Sequence, residues 1–351
     1  MSDIVKGPKK FAYVYKTIKT LLTEARSQAW QSVNSVMVVA YWNVGKIIVE
    51  QEQSGKARAE YGKKLITDLS QKLSSEFEKG FDSSNLWNMR AFYLAYPKLD
   101  AVRRELSWTH YRLLLRLEKC EARAFYEVET VSAGWSTREL ERQIGSLLFE
   151  RLALSRDKKG VKALAKKGHA LHKPADLVKD PYVLEFTGIP QSTRLLESDL
   201  ENALIDKLQQ FLLELGKGFA FMGRQQRITV DGQHFFIDLV FYNRLTKSFV
   251  LIDLKVGKLT HQDLGQMQMY VNYYQRELTT NGENPPIGIV LCTDKSEAVV
   301  RYTLPKGNTQ IFASKYKLYL PTEAELAKEL QQERRMIEIE KRLESKAEEQ
   351  K

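Results

Sequence analysis

Two aspartates and a lysine set in strongly apolar surroundings are the residues of this chain whose types and spacing most clearly suggest chemistry. The stretch Phe235–Val256, FFIDLVFYNRLTKSFVLIDLKV, has two apolar runs joined by a polar turn over residues 243–248, the pattern of a buried β-hairpin. Asp238 sits in the middle of the first run, Asp253 and Lys255 in the second. A charge buried in such a run is costly unless it is partnered. Side chains alternate along a strand, so Asp253 and Lys255 share one face while Ile252, Leu254 and Val256 pack on the other. On adjacent strands Asp238 and Asp253 approach each other, and like charges about 4 Å apart repel by about 4 kcal/mol at an effective dielectric near 20. A divalent cation relieves that repulsion, and carboxylate oxygens favour a hard ion, Mg²⁺ or Mn²⁺.

The flanking segments add further candidates. Before the hairpin, Leu200, Leu204, Ile205, Leu208, Phe211, Leu212 and Leu215 form one helical stripe, and Glu201 falls inside it. Glu201 is either the closing residue of a capping box, Ser198-x-x-Glu201, or a carboxylate turned toward the sheet. After the hairpin, Gln266 and Tyr270 stand one turn apart on a single helix face, either as ordinary members of an amphipathic helix or as part of the site. Arg224 and Arg227, on the strand before Asp238, and Lys258, at the end of the second hairpin strand, are candidate contacts for phosphate.

A carboxylate, a hairpin turn and then Asp-x-Lys resembles the PD-(D/E)XK nuclease superfamily, with Ile237 where that pattern has proline. Glu201 matches the superfamily's first-helix glutamate, and Gln266-x-x-x-Tyr270 is similar to the Q-x-x-x-Y of RecB-type exonucleases. Over its whole length, with YWNVGK, RAEYGKKL and LSWTHYRLL in the first half, the chain resembles the YhcG-type proteins. The resemblance implies metal-dependent hydrolysis of phosphodiester bonds, in DNA in preference to RNA. It implies Asp238, Asp253 and the Leu254 carbonyl as metal ligands, and Glu201 on a second ion or a water. Lys255 is then expected to orient or deprotonate the attacking water, its pKa lowered by burial and by the ion. Gln266 is expected to hold Lys255 or a phosphate oxygen, and Tyr270 to pack on the substrate backbone. The rival reading is a nuclease fold kept only as a binding module for nucleic acid or protein.

The elements that must position these residues are legible in outline. The 351 residues, 43% of them hydrophobic, suffice for two domains each with its own core. Residues 1–155 read as an all-α domain. Its expected helices are Phe11–Gln51 with a break near Ser32–Ser35, Ala57–Phe77, Asn85–Tyr96, one after Ser107, Glu121–Val131, and one from the capping box Ser136-Thr137-Arg138-Glu139 to Leu154. This half offers a helix-turn-helix, presenting Arg138, Arg142 and Arg151 to a groove, or a homodimer surface. Trp42, Trp87, Trp108 and Trp135 are expected core anchors. Residues 156–180 form a basic linker, and residues 181–321 the α/β, restriction-endonuclease-like domain, a mixed central sheet flanked by helices. Its expected elements are the Glu201 helix, a three-strand meander turning through Asp231-Gly232, the Gln266 helix, the strand IGIVLCT parallel to the Asp253 strand, a short helix and a last strand near Gln310–Ala313. Residues 322–351 read as a charged helix capped by Thr322-x-x-Glu325.

Composition narrows the function classes. With 54 Lys and Arg against 44 Asp and Glu, the net charge of +10 suits a polyanionic partner. Cys120 and Cys292 are the only cysteines, which excludes a disulfide framework or a thiolate metal site and fits a reducing cytoplasm. The N-terminus lacks a continuous apolar h-region and no uncharged apolar run of about 18 residues occurs, so a cytoplasmic protein is expected, neither secreted nor membrane-spanning. His169 and His172 lie in the Lys-rich stretch without a carboxylate or thiolate nearby and are expected to be solvated.

Overall fold

The computed structural model describes residues 7–54, 58–77, 79–154, 158–171, 173–190, 195–326 and 328. The chain divides into two compact units, Met1–Leu140 and Glu141–Lys351. His172 and nearly all of the expected C-terminal helix lie outside the described residues, but the cap of that helix is seen. Thr322 N donates to Glu325 Oε2 at 2.7 Å and Glu325 N to Thr322 Oγ1 at 3.2 Å.

The first unit is helical: α1 (Gly7–Ser54), α2 (Arg58–Phe77), α3 (Ser83–Ala95), α4 (Trp108–Leu114), α5 (Cys120–Ala133) and the start of α6 (Thr137–Gly145). The expected break near Ser32–Ser35 is absent and α1 runs through, since serine in a helix costs only a fraction of a kcal/mol and Val38, Trp42, Ile48 and Val49 bury the turns that follow. Gly45 sits where α1 crosses α3, and a Cβ there would collide with the Met89 carbonyl. Trp42 donates its indole N–H to the Tyr96 carbonyl at 2.7 Å and Trp108 donates to Asn85 Oδ1 at 2.8 Å. Trp87 departs from expectation: it is 38% exposed, with Arg90 lying over its ring. Among the described residues, one helical stretch, Phe11–Glu52, is long and apolar enough by length and composition to cross a membrane. Of that apolar window only 28% is buried, although Val38, Trp42, Ile48 and Val49 of α1 are buried.

The second unit begins earlier than the sequence suggests. Residues 141–154 belong to it, and the expected linker contains α8 (Lys158–Lys167), which buries Leu164 and Ala165. The reason is a buried carboxylate. Glu214, at the end of α10 (Leu208–Leu215), is fully buried and takes Arg151 Nη1 at 2.6 Å and Arg142 Nη1 at 3.2 Å. Arg151, on α7 (Leu148–Leu154), is itself 3% exposed, and Arg142 also pairs with Glu185 at 2.9 Å. Val183 N donates to Glu214 at 3.0 Å, and Lys179 donates its ammonium to the Glu214 carbonyl. Burial opposes ionisation of Glu214, but Arg151, Lys179 and Arg142 outweigh it and hold the carboxyl down at about 2. Arg142 and Arg151 are therefore interior ties of this unit and not groove-facing residues.

The sheet has the order β1-β6-β5-β4-β3-β2, with β1 (Tyr182–Val183), β2 (Phe219–Val230), β3 (Gln233–Asn243), β4 (Ser248–Lys258), β5 (Ile287–Asp294) and β6 (Ile311–Lys317). The β2–β3–β4 meander is antiparallel, and β4–β5, β5–β6 and β6–β1 are parallel. Asp231 and Gly232 both have positive φ, as a type I′ turn requires. One face of the sheet packs Leu239, Phe241, Val250, Ile252 and Leu254 against Leu200 and Leu204 of α9 (Glu197–Asp206) and Phe211 and Leu215 of α10. The other packs Ile237, Val240, Leu251 and Val290 against Leu264, Met267, Tyr270 and Val271 of α11 (His261–Tyr273). α12 (Glu297–Thr303), capped by Ser296, connects β5 to β6. The single expected helix over 200–215 breaks at Lys207, whose φ of −114° and ψ of 33° are not helical. The strand β1 is a two-residue addition that the sequence does not announce.

Candidate active site

The hairpin strands separate at the two aspartates. The last backbone pair between β3 and β4 is Leu239 with Ile252, and beyond it β4 continues beside β5 while β3 continues beside β2. Asp238 and Asp253 are the first residues past this fork. Asp238 Oδ2 accepts Leu254 N–H at 2.7 Å, a side chain replacing the ladder bond that the fork removes. Asp253 is 2% exposed, and burial, then the facing charge of Asp238, push its pKa up to about 7. Its Oδ2 is a buried oxygen without an aligned hydrogen bond, although the Lys255 ammonium lies 3.1 Å away as an ion pair.

Lys255 reaches Glu197 Oε2 as well, at 3.4 Å, and Glu197 Oε1 accepts Val256 N–H at 3.2 Å. Burial alone would lower the Lys255 pKa, but Asp253 above all, then Glu197 and Asp238, overcome it and raise the pKa. In the chain alone, three carboxylates outweigh burial and hold the ammonium charged. Glu197 was not anticipated, although it stands one helical turn before Glu201 and that spacing could have shown it.

Glu201 is buried and takes no part in a cap. The helix begins at Glu197, and it is Asp199 Oδ2 that accepts the Leu196 N–H at 3.2 Å. Glu201 instead joins Asp238 through Gln225, whose Nε2 donates to Glu201 Oε2 at 2.7 Å and to Asp238 Oδ1 at 3.0 Å. Gln225 has φ 46°, a left-handed conformation uncommon for a residue with a side chain, in a strand bulged between Phe221 and Gly223. That conformation leaves no mark in the sequence, whereas the bulge has one in Gly223, an isolated glycine inside the strand.

The remaining candidates fall in two groups. Gln266 donates its amide to the Tyr270 hydroxyl, which donates in turn to the Phe236 carbonyl at 2.9 Å. Tyr270 is wholly buried, so it does not pack on a substrate; with Gln266 it fixes β3 two residues from Asp238. Burial first, and then the charges of Asp253 and Asp238, raise the Tyr270 pKa. Arg224, Arg227 and Lys258 are exposed, with Arg224 Nη1 on Asn202 Oδ1 at 3.1 Å.

Among the described residues no three His, Cys, Asp or Glu side chains converge on a metal position. The donors that do converge are two carboxylates, beside the backbone at Leu254, with Glu201 held one amide group away. That set fits an ion such as Mg²⁺, which takes one or two carboxylates and keeps several waters. The buried Asp253 oxygen, which has the Lys255 ammonium at 3.1 Å but no aligned hydrogen bond, in a cluster of repelling carboxylates, is the observation that makes the fit.

A mixed sheet flanked by helices, with two aspartates and a lysine at the fork of its central hairpin, defines a PD-(D/E)XK nuclease-type domain. The family model described as the YhcG PDDEXK nuclease domain matches residues 175–333, and the DUF1016 N-terminal domain matches residues 17–151. YhcG of Escherichia coli (strain K12) is 38% identical over 360 residues, 93% of this chain and 96% of that protein. The chain belongs to the YhcG family. Among solved structures, a repair endonuclease from Pyrococcus abyssi shares 18% identity at a TM-score of 0.27 over 38% of this chain, and spans of 50% of that chain are covered. An EndoMS–dsDNA complex gives 16% identity, a TM-score of 0.27 and the same two coverages.

Proposed function

We propose that this protein is a metal-dependent nuclease that hydrolyses phosphodiester bonds in DNA, in the cytoplasm, with Asp238, Asp253, Lys255 and Glu201 at its centre. The observation that carries the reading is the fork itself. It holds two carboxylates together at the cost of a raised Asp253 pKa and an oxygen without an aligned hydrogen bond, an arrangement that stability alone does not favour. Asp238, Asp253 and the Leu254 carbonyl would hold Mg²⁺ or Mn²⁺, with Glu201 in reserve for a second ion or a water. The bound ion supplies Lewis acidity and neutralises the charge that grows on phosphorus. Lys255, which lies against Asp253 and Glu197, is suited to hold the attacking water or a phosphate oxygen. Gln266 and Tyr270 position the Asp238 strand, while Arg224, Arg227 and Lys258 supply positive charge to the backbone of the substrate.

The test is incubation of the purified protein with plasmid, linear, branched and single-stranded DNA in Mg²⁺ or Mn²⁺. Cleavage that disappears in Asp253→Asn, with the fold intact by circular dichroism, is the expected result. Binding with no cut on any of these substrates would make the domain a binding module.

A further inference from the structure

Beyond the fork, β2 and β3 leave the rest of the sheet and run on as a two-stranded ribbon, paired from Gln226 with Ile237 to Val230 with Gln233. One face of the ribbon is core: Ile228 and Ile237 are buried and Phe235 packs beside them, against the α11 side of the sheet. The opposite face carries the cross-strand pairs Arg227–Phe236 and Thr229–His234, all four residues exposed. Phe236 is 48% exposed on an otherwise polar strand face, and nothing in the packing of the ribbon requires a large ring there. By strand alternation His234, Phe236 and Asp238 lie on one face, about 7 Å apart per step. The ribbon therefore places one cation, Arg227, and one exposed phenyl ring, Phe236, side by side on the face that leads to Asp238.

We propose that this outer face is the track for a single strand of nucleic acid entering the site, with an unpaired base stacked on Phe236 and a phosphate on Arg227. The proposal rests on the nuclease reading for its direction, and it names the substrate class as strands with unpaired bases next to the cleaved bond. A phenyl ring can stack fully only on a base released from its partner, whereas an arginine beside it meets the backbone charge of any strand; aromatic rings interleaved with positive charge are the general means of holding single strands. Thr229 Oγ1 and His234 Nδ1, 3.0 Å apart, tie the next pair across the ribbon and keep its outer face polar.

The test is fluorescence anisotropy on the full chain, in EDTA so that no cleavage intervenes, with a single-stranded DNA oligonucleotide and the matching blunt duplex. Phe236→Ala should weaken single-strand binding about tenfold and duplex binding far less, while Phe236→Trp restores it. Arg227→Ala should weaken both and flatten the dependence of log affinity on log salt by about one. Since Phe236 and Arg227 are exposed, the variants should melt within a few degrees of the parent, which separates a binding loss from a folding loss. Single-strand binding unchanged in Phe236→Ala, or an equal loss for single strand and duplex, would overturn the track. If no DNA is cut in Mg²⁺ or Mn²⁺ while the Phe236-dependent single-strand preference holds, the nuclease reading fails and the track stands. If cutting is observed and the preference is absent, the reverse follows.

Discussion

Asp253 carries the clearest consequence at the level of single residues. Its pKa in the folded chain is raised to about 7 from the ordinary 3.8, so between those values the native state holds a proton that the unfolded state has released. Stability of the metal-free protein should therefore fall as pH rises from about 4 to about 7, by an amount on the order of a few kcal/mol. Glu214 has the opposite sign and a different window, since its contribution is present above about 4.5 and is lost as pH falls from there to about 2. Chemical denaturation in EDTA across this range should show the decline, and Asp253→Asn should remove it and be the more stable protein at pH 7.5. A large fall in melting temperature for Asp253→Asn would instead mark the Asp253–Lys255 pair as a structural bridge. Gln225 invites a second measurement. Its amide lies between Glu201 and Asp238, where a cation would draw on the same oxygens, so Gln225→Ala should tighten Mn²⁺ binding by calorimetry. Weaker binding would mean that the amide holds the two carboxylates in register for the ion. Asp238, Asp253 and Lys255 were legible because a charge in an apolar run is conspicuous. Gln225 was not, because its role follows from a left-handed backbone that its residue type does not announce.

The same division holds for whole elements. The meander, its Asp231-Gly232 turn, the parallel β5 and the caps at Ser136 and Thr322 were readable, since each is written in local residue types and periodicity. The two helices α6 and α7 were read as one, and their attachment to α10 was missed, because Arg142, Arg151 and Glu214 meet across a long stretch of sequence. Helical periodicity reveals which face of α7 is apolar, but not that an arginine on it is buried against a distant carboxylate. Glu214→Gln should cost about 3–5 kcal/mol, because it leaves Arg151 buried with its charge uncompensated. The double change Arg151→Met with Glu214→Leu should recover much of that loss. Urea denaturation of the three variants checks this, and a double variant as unstable as the single one would show that the pair does more than neutralise itself.

At the scale of the whole molecule, the division at Leu140 decides what can be separated. A chain that begins at Asp180, where the sequence suggests that the second domain begins, loses Arg142, Arg151 and Lys179 and leaves the Glu214 carboxylate buried with the Val183 N–H as its remaining tie. That fragment should fail to fold, whereas one starting at Glu141 keeps every tie of Glu214 and should melt cooperatively. Since Asp238, Asp253, Lys255 and Glu201 all lie in Glu141–Lys351, the longer fragment should also retain the chemistry of the proposed site. What it should lose is affinity. If residues 1–140 contribute phosphate contacts, the slope of log affinity against log salt should flatten by about one for each contact removed, while the rate at saturating DNA changes little. Anisotropy titrations at several salt concentrations, paired with single-turnover cleavage, measure both quantities on the same preparation. An unchanged slope together with a shift from dimer to monomer in sedimentation would assign the helical unit to self-association instead, and the DNA contacts would then belong to the second unit, with the β2–β3 ribbon first among them.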